Sequence, residues 1–292
     1  MFKTLLVPLF GQAGDKETLE LAHGLLGQTG GHMSCLYVHD DAAAVSGCMQ
    51  TDVYGVPIAT PELIAAVEKE CSALKARAKQ TFDHFRKVFD VCDATPSLEA
   101  ASTRSASWHE VNADIVESIA KAAHYNDAVV LRRGPKFAEP NYADIGKIAI
   151  GSGRPLLVFP DGWQPHPIRY IAIAWKDTPE AARAVSSALP VLKTAKTIRL
   201  LSARETDGEA SARESADACA AFLAWHGLDA EISCIDADED GAQERVFSDA
   251  AETGAELVVM GAYGHSRAHE FVFGGFTRHA LRESALPLLL MH

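Results

Sequence analysis

The stretch that decides the fold begins Val258-Val259-Met260-Gly261-Ala262-Tyr263-Gly264 and ends Gly274-Gly275-Phe276-Thr277. Its opening, together with Leu257, is a continuous apolar run, which is typical of a parallel strand covered on both faces. Gly261 and Gly264 let the backbone turn sharply and approach other groups closely. After a nine-residue excursion, residues 276–283 have helical character. The stretch therefore predicts a buried strand, a glycine turn and a helix that follows two glycines.

This arrangement is suited to a phosphate. A helix N-terminus leaves free N–H donors and a partial positive charge, both of which favour an anion. Glycines would let phosphate oxygens touch the backbone amides, and Thr277 would add a hydroxyl. The spacing is neither the P-loop, because no lysine follows the glycines, nor the dinucleotide G-x-G-x-x-G. The alternative is a tight strand-to-helix connection that binds nothing.

The glycine spacing resembles that of a known family. Gly-x2-Gly-x9-Gly followed by a small residue is the signature of the universal stress proteins, here Gly261, Gly264, Gly274 and Gly275. The family usually has Ser or Thr where this chain has Gly275, so one hydroxyl is lost from the expected phosphate cradle. The resemblance covers nearly the whole chain as two tandem domains. It is weaker in residues 1–160 and stronger in residues 168–292, which carry the motif.

Composition limits the function classes. The chain has 292 residues, enough for one large domain or two ordinary ones, and 48% of them are hydrophobic and 23% charged, as in globular proteins. The net charge of −12 argues against a general nucleic-acid or membrane-surface binder. No apolar run approaches the roughly 20 residues that span a bilayer. The six cysteines show no C-x-x-C, which favours free thiols and a cytoplasmic location.

The order of predicted elements repeats. In the first half, strands are predicted at residues 4–10, 33–38, 97–100 (a weak signal), 128–131 and 155–159. Helices there are predicted from residue 15, from Thr60-Pro61-Glu62 and at residues 145–150. Ser107-Trp108-His109-Glu110 has the spacing of a capping box and predicts a further helix carrying Val111, Ile115 and Ile119. After a linker at 160–167, strands are predicted at residues 171–175, 198–201, 230–235, 257–260 and 288–291. Helices alternate with them, from residue 179 and at residues 210–226 and 242–253.

The two halves differ where the motif would lie. Pro155 aligns with Pro287 and Asp127 with Glu256, which leaves the intervening loop three residues shorter in the first half. That loop begins Arg132-Arg133-Gly134-Pro135-Lys136, and its proline lacks an amide donor. The sequence therefore predicts a duplication in which only the second half keeps the site.

The resemblance implies two tandem flavodoxin-like (Rossmann-like) α/β domains. Each would hold a five-stranded parallel sheet of order 3-2-1-4-5 with helices on both faces, and the fifth strands would pair within the chain; a homodimer is a further expectation. The ligand that the resemblance implies is ATP, with Mg²⁺ as an accompanying ion, at the switch point between strands one and four. Lys176 stands where the family has Asp, so either Lys176 contacts a phosphate or Asp177 takes over the polar contact. The implied nucleotide-binding residues are Ala174, Lys176, Asp177, Ala203, Met260, Gly261, Gly264, Gly274, Gly275, Phe276 and Thr277.

Three alternatives compete with a nucleotide-binding regulatory or adaptor protein of the stress response. An enzyme is disfavoured because no Gly-x-Ser-x-Gly, His-Glu-x-x-His or Walker lysine occurs, so no catalytic residue is predicted and ATP hydrolysis would at most be slow. A metal site is disfavoured because the histidines near the motif have no imposed geometry. These are His265, His269, His279 and His292. The third alternative is a structural or partner-binding stress protein whose C-terminal turn binds no nucleotide. The protein partner of either kind of stress protein is not indicated.

Overall fold

The computed structural model describes most of the chain. The described residues are 1–26, 30–40, 44, 46, 49–51, 57–58, 60–93, 102–133, 141–204, 209–236, 241–263 and 275–292. Gly264 and Gly274 of the motif, His265 and His269, and the strand predicted at 97–100 lie outside the described residues.

The secondary structure alternates between strands and helices. The strands of the first half are β1 (Thr4–Leu9), β2 (Gly31–His39), β3 (Gln50–Thr51), β4 (Pro57–Ile58), β5 (Arg104–Asn112), β6 (Ala128–Arg132) and β7 (Leu156–Phe159). Its helices are α1 (Asp15–Leu25), α2 (Pro61–Val88), α3 (Ile115–Ala123) and α4 (Tyr142–Ser152). The strands of the second half are β8 (Tyr170–Trp175), β9 (Thr197–Arg204), β10 (Glu231–Asp236), β11 (Leu257–Gly261) and β12 (Leu288–Met291). Its helices are α5 (Pro179–Leu192), α6 (Glu209–Trp225), α7 (Ala242–Glu252) and α8 (Gly275–Glu283).

One sheet runs through both halves. In the described part of the chain ten strands are joined in the order β10-β9-β8-β11-β12-β7-β6-β1-β2-β5. Each half contributes five parallel strands in the predicted order 3-2-1-4-5, so the flavodoxin-like fold class is confirmed. The halves meet where β12 pairs with β7 in antiparallel register, Leu289 opposite Leu157. The division of the chain near residues 160–167 stays a prediction, because the sheet is continuous.

Each face of the sheet carries one apolar core. Alternate residues of a strand point to opposite faces, so Leu5 and Val7 enter one core and Leu6 enters the other. The first core packs beneath α1, α2, α5 and α6, and the second beneath α3, α4, α7 and α8. Both cores contain residues of both halves, which makes the molecule a helix–sheet–helix sandwich. No helix among the described residues has the length and apolarity to cross a membrane.

The helix predicted to begin at Ser107 is present but begins at Ile115, so its predicted start and the inclusion of Val111 are wrong. Residues 104–112 form β5, the edge strand beside β2, with Ser107 opposite Ser34. Ala106 is buried and Glu110 is exposed, and the Glu110 carboxylate bonds Trp108 and Lys75 rather than a helix N-terminus. Asp114 provides the true cap, because its carboxylate accepts the backbone N–H of Glu117 at 2.7 Å. Between β2 and α2, the short strands β3 and β4 pair in antiparallel register, Gln50 opposite Ile58.

The structure supports the duplication through matched hydrogen bonds. The Asp127 carboxylate accepts the backbone N–H of Lys3 and Thr4 at the start of β1, at 2.8 and 3.0 Å. The aligned Glu256 carboxylate accepts the N–H of Arg169 and Tyr170 at the start of β8, at 2.6 and 3.1 Å. Each half therefore uses the carboxylate before its fourth strand to hold the start of its first strand.

The halves are not symmetric at their joint. Arg133 follows β6, and its guanidinium donates to the carbonyls of Ala280, Leu281 and Ser284 at 3.4, 2.8 and 2.7 Å. These carbonyls belong to the C-terminal end of α8, where orphan acceptors and a partial negative charge favour a cation. The equivalent residue of the second half, Ala262, has no side chain that could reach back. The first half thus caps the motif helix of the second.

We expect Arg133→Ala to destabilise the full chain by about 1.5–3 kcal/mol, because three half-buried carbonyls lose a charged donor. Arg213→Ala is the matched control, since it removes an exposed arginine paired within α6 to Asp217. Urea unfolding measures both, and the control should change the free energy of unfolding much less. Equal effects of the two substitutions would contradict the capping role.

Candidate functional site

The expected site lies at the carboxyl edge of the second-half sheet. β8 and β11 are adjacent there, and the chain leaves them toward different faces, which is the switch point where such sheets bind ligands. The motif helix α8 begins at this edge with Gly275, which is exposed. The described motif residues therefore surround the predicted position, while Gly264 and Gly274 lie outside the described residues.

Gly261 has a packing role at this edge. A Cβ atom on Gly261 would lie 2.6 Å from the backbone N of Ala181 and 2.7 Å from the backbone C of Glu180. Real Cβ atoms do not approach backbone atoms so closely, so only glycine lets β11 end against the first turn of α5. The sequence predicted close approach at Gly261, and the structure shows that the group approached is the protein's own helix.

The turn after Gly261 is strained. Tyr263 has a φ of +65°, a conformation that bulky residues rarely adopt. Its backbone N–H donates to the hydroxyl of Thr277 at 3.4 Å, and Thr277 is only 4% exposed. Burial also raises the pKa of the Tyr263 phenol. The Thr277 hydroxyl thus supports the turn from inside, rather than pointing to solvent.

Four of the predicted residues share one apolar surface. Met260 is 2% exposed and belongs to the core beneath α7 and α8, and Ala174, Ala203 and Phe276 pack against that core while partly exposed. Phe276 also contacts Phe247 of α7, with ring centroids 5.6 Å apart. The structure therefore places Met260, Ala174 and Ala203 of the predicted nucleotide-binding set on the same apolar core as Phe276 in the first turn of the motif helix.

Lys176 and Asp177 are both exposed, directly beyond β8. They form a tight turn in which the N–H of Thr178 donates to the carbonyl of Lys176 at 2.8 Å. Thr178 then caps α5 by accepting the N–H of Ala181 through its hydroxyl. Both side chains remain at the carboxyl edge, so the geometry is compatible with either of the contacts that the sequence left open.

Gln243 is a site residue that sequence reasoning missed. It lies in the first turn of α7, and its side-chain oxygen would be 3.3 Å from a Cβ built on Gly275. A Ser or Thr at position 275 would therefore be in tight contact with Gln243. The glycine that departs from the family pattern makes room for a polar amide from a neighbouring helix, a relation between distant residues that no local pattern shows.

The same junction in the first half is occupied by a large side chain. The matched carboxylate bonds align Asp127 with Glu256 and Thr4 with Tyr170. Counting forward from these pairs aligns Arg132 with Gly261 and Gly14 with Glu180. A Cβ on Gly14 would lie 2.3 Å from Nη1 of Arg132, whose guanidinium pairs with Glu17 and Asp161. In the first half the large Arg132 follows the fourth strand and faces a glycine, whereas in the second half a glycine, Gly261, stands there and faces the larger Glu180. In the first half a cation of the protein itself covers the switch point.

Backbone N–H groups in the loop after β1 also have hydrogen-bond partners within the protein. The Asp15 carboxylate is buried and accepts the backbone N–H of Phe10 at 3.1 Å and of Gly11 at 2.8 Å. Leu74 of α2 packs so closely on Gly11 that its carbonyl oxygen would be 2.1 Å from an added Cβ. The amides that would face an anion are therefore used by Asp15, and α2 covers the turn.

The two described histidines near the motif are separated by their contacts. His279 of α8 packs beside Phe247 of α7, whereas Nδ1 of His292 lies 3.2 Å from the carbonyl oxygen of Ala262. Among the described residues, no group of three or more His, Cys, Asp or Glu side chains is arranged to hold a metal.

We expect Gly261→Ala to destabilise the protein by about 1–3 kcal/mol, because the added methyl overlaps the α5 backbone. Gly24→Ala is the matched control, since an added Cβ there, near the end of α1, meets nothing within 4 Å. Thermal unfolding of both variants measures the change in stability. A Gly261→Ala protein as stable as its parent would contradict the prediction, because α5 would then have moved aside for the methyl group.

The comparisons with known proteins agree with this architecture. No family model matches the chain. A universal stress protein of Synechocystis is 22% identical over 298 residues, which cover 98% of this chain and 99% of that protein. A universal stress protein of Archaeoglobus fulgidus has a TM-score of 0.65 at 13% identity and covers 99% of this chain and 97% of its own. A candidate universal stress protein of Pseudomonas aeruginosa has a TM-score of 0.54 at 15% identity, covering 99% and 93%. The chain therefore has the tandem universal-stress-protein fold, and the family resemblance indicated by its glycine spacing is confirmed.

Proposed function

We propose that this protein is a regulatory or adaptor protein that binds an adenine nucleotide in its second half. The observation that carries the proposal is the exchanged junction. In the first half Arg132 covers the switch point, whereas in the second half Gly261 and the exposed N-terminus of α8 at Gly275 stand at the same edge. Only one of two equivalent edges is thus suited to an external phosphate.

Each described residue has a defined part in this proposal. The amides of Gly275 and Phe276 open α8 and would hold phosphate oxygens, with Lys176 as the cation nearby. Ala174 and Ala203, which are partly exposed, would provide an apolar surface for the adenine base. Mg²⁺ would accompany the phosphates, and the family motif assigns Gly264 and Gly274, which lie outside the described residues, to the same phosphate cradle. Regulation by occupancy requires no catalytic residue.

A second candidate, a partner-binding protein that carries no nucleotide, draws support from one contact. The Thr277 hydroxyl accepts the N–H of Tyr263 inside the turn, so it is already used without a ligand. In this case α8 would have a structural role, and the strained turn would serve only to connect β11 with the helix.

Isothermal titration of ATP into the full chain separates the two candidates. Gly275→Val should abolish binding, because the side chain occupies the space in front of the α8 amides. The controls are Gly24→Val, which makes the same change on an exposed helix position, and Arg132→Ala, which alters the first-half junction. Both should bind ATP as the parent does. A parent that binds no ATP, or a Gly275→Val variant that binds it normally, would exclude the proposal.

Gln243 allows a finer test. If its amide replaces the missing family hydroxyl, Gln243→Ala should weaken ATP binding about 2- to 12-fold, the loss of one hydrogen bond. Combining it with Gly275→Ser should restore affinity, because the hydroxyl then has room. Gly275→Ser alone should not improve on the parent, since Gln243 still fills the space. A double variant no better than Gln243→Ala would contradict this exchange.

A further inference from the structure

The outward-facing side of α6 is apolar along the C-terminal half of the helix. Four exposed residues stand there with the spacing i, i+3, i+4 and i+7, which places them on one side of the helix. Together they form the α6 stripe, which consists of Ala218, Ala221, Phe222 and Trp225. Trp225 is 91% exposed and Phe222 is 38% exposed, so the stripe presents aromatic as well as aliphatic surface to solvent.

The opposite side of the same helix is apolar too. Ala216, Cys219 and Leu223 are buried in the core beneath α6, where the helix packs on β9 and β10. From residue 218 to residue 228 the sequence contains no Asp, Glu, Lys or Arg. A helix that is hydrophobic all round is normally covered on all sides. The pattern of α6 is therefore that of a helix with a second contact.

The corresponding helix of the first half has a charged surface. α2 lies between β2 and β5, as α6 lies between β9 and β10, and its exposed residues include Lys75, Arg77 and Lys87. The apolar outer side of α6 is therefore not a requirement of the fold, and it needs a reason of its own.

The chain that follows α6 leaves the stripe uncovered. Gly227 has a φ of +74°, and the N–H of Leu228 donates to the carbonyl of Leu223 at 3.0 Å, which is the Schellman ending of a helix. Leu228 then packs against the core beneath α6. The turn thus sends residues 228–230 back to the sheet and into β10, away from the outward-facing side.

The α6 stripe is complementary to itself. Its small residues lie toward the helix N-terminus and its large residues toward the C-terminus. When two copies of α6 lie antiparallel across a twofold axis, Ala218 of each faces Trp225 of the other, and in the same register Ala221 faces Phe222. Every large side chain then meets a small one, which is the interdigitation that closely packed helices need. A parallel pair would instead place each large side chain against its own copy.

Charge also favours a second copy at this surface. The chain carries a net charge of −12, so two copies approach best where carboxylates are absent, and the stripe contains none. The flanks are complementary as well, because the same antiparallel register puts Asp217 opposite His226. A basic partner, which the net charge would attract elsewhere, finds no carboxylate within the stripe.

We propose that the α6 stripe binds the α6 stripe of a second copy of this chain, with the two helices antiparallel across a twofold axis. An aromatic side chain buries about 150–250 Å², so two of them with two alanines fall short of the about 800 Å² per partner of a standard interface. The dimer is therefore weak, and its population depends on protein concentration.

This contact is distinct from the other associations of the molecule. The fifth strands β7 and β12 already pair within the chain, so a second copy needs another surface. The stripe lies in the half of α6 that is remote from the carboxyl edge of β9, because the helix begins at that edge and runs back. The proposal is thus independent of the nucleotide site.

Sedimentation equilibrium of the untagged full chain between about 5 µM and about 0.5 mM measures the association. The parent should shift from monomer toward dimer over this range. Trp225→Glu and Ala221→Glu should each weaken association at least about tenfold, because each brings a charge into the apolar contact. Tyr125→Glu and Ala182→Glu are the matched controls, at an 86% exposed aromatic residue of the first half and an exposed alanine of α5. Both controls should associate as the parent does.

Exchanging large and small residues tests the antiparallel register. Ala218→Trp alone should weaken the dimer, because it places tryptophan against tryptophan, whereas unspecific apolar association would become stronger. Combining Ala218→Trp with Trp225→Ala should restore the parent's association, since each large side chain again faces a small one. Circular dichroism checks that each variant is folded, which the exposure of these positions favours.

Three results would each overturn the proposal. The first is a parent that stays monomeric up to about 0.5 mM, which would leave the stripe to a different protein. The second is a dimer that persists unchanged in both Trp225→Glu and Ala221→Glu, because another surface then forms it. The third is stronger association of Ala218→Trp, which excludes the antiparallel register.

Discussion

The antiparallel pairing of β7 with β12 is the constraint on which the rest of the structure depends. It joins two parallel sheets into one, so the fifth strand of neither half is left with an open edge, a position that otherwise invites pairing with other chains. Because the sheet is continuous, each of its faces carries an apolar core shared by both halves. The helices of both halves therefore pack on one continuous sheet. The residues at the carboxyl edge of the sheet can differ between the halves without disturbing it.

Local signals predicted most of this architecture. Thr60 and Pro61 predicted the start of α2, and the structure shows Thr60 capping Leu63. The glycine spacing indicated the fold of the second half through the family resemblance that it carries, although Gly261 is required by its packing against α5 rather than by a special local backbone conformation. The order of the strands also followed from the resemblance, since pairing between strands distant in sequence leaves no local pattern.

The failed predictions share a physical cause. The capping-box spacing at Ser107 was overridden because β2 supplies hydrogen bonds to the whole of residues 104–112, and Asp114 offers a second cap seven residues later. Burial falls along that strand, from Ser105 and Ala106, which are both buried, to His109 and Glu110, which are both exposed, so no period-2 pattern distinguishes it from a helix. Gln243 and Arg133 were missed for a related reason, since each acts on α8 from another element. The motif loop itself stays a prediction at Gly264 and Gly274.

The grip of Arg133 on the C-terminal carbonyls of α8 bears on how such a protein arises from a single-domain ancestor. In a homodimer of identical units, both units would carry the same residue at this position, and the same junction would form twice. Covalent fusion removes that restriction, because one copy can supply the cation while the other keeps the small residue. Arg133 and Ala262 differ in this way, so the tandem chain corresponds to a dimer whose two subunits are no longer equivalent.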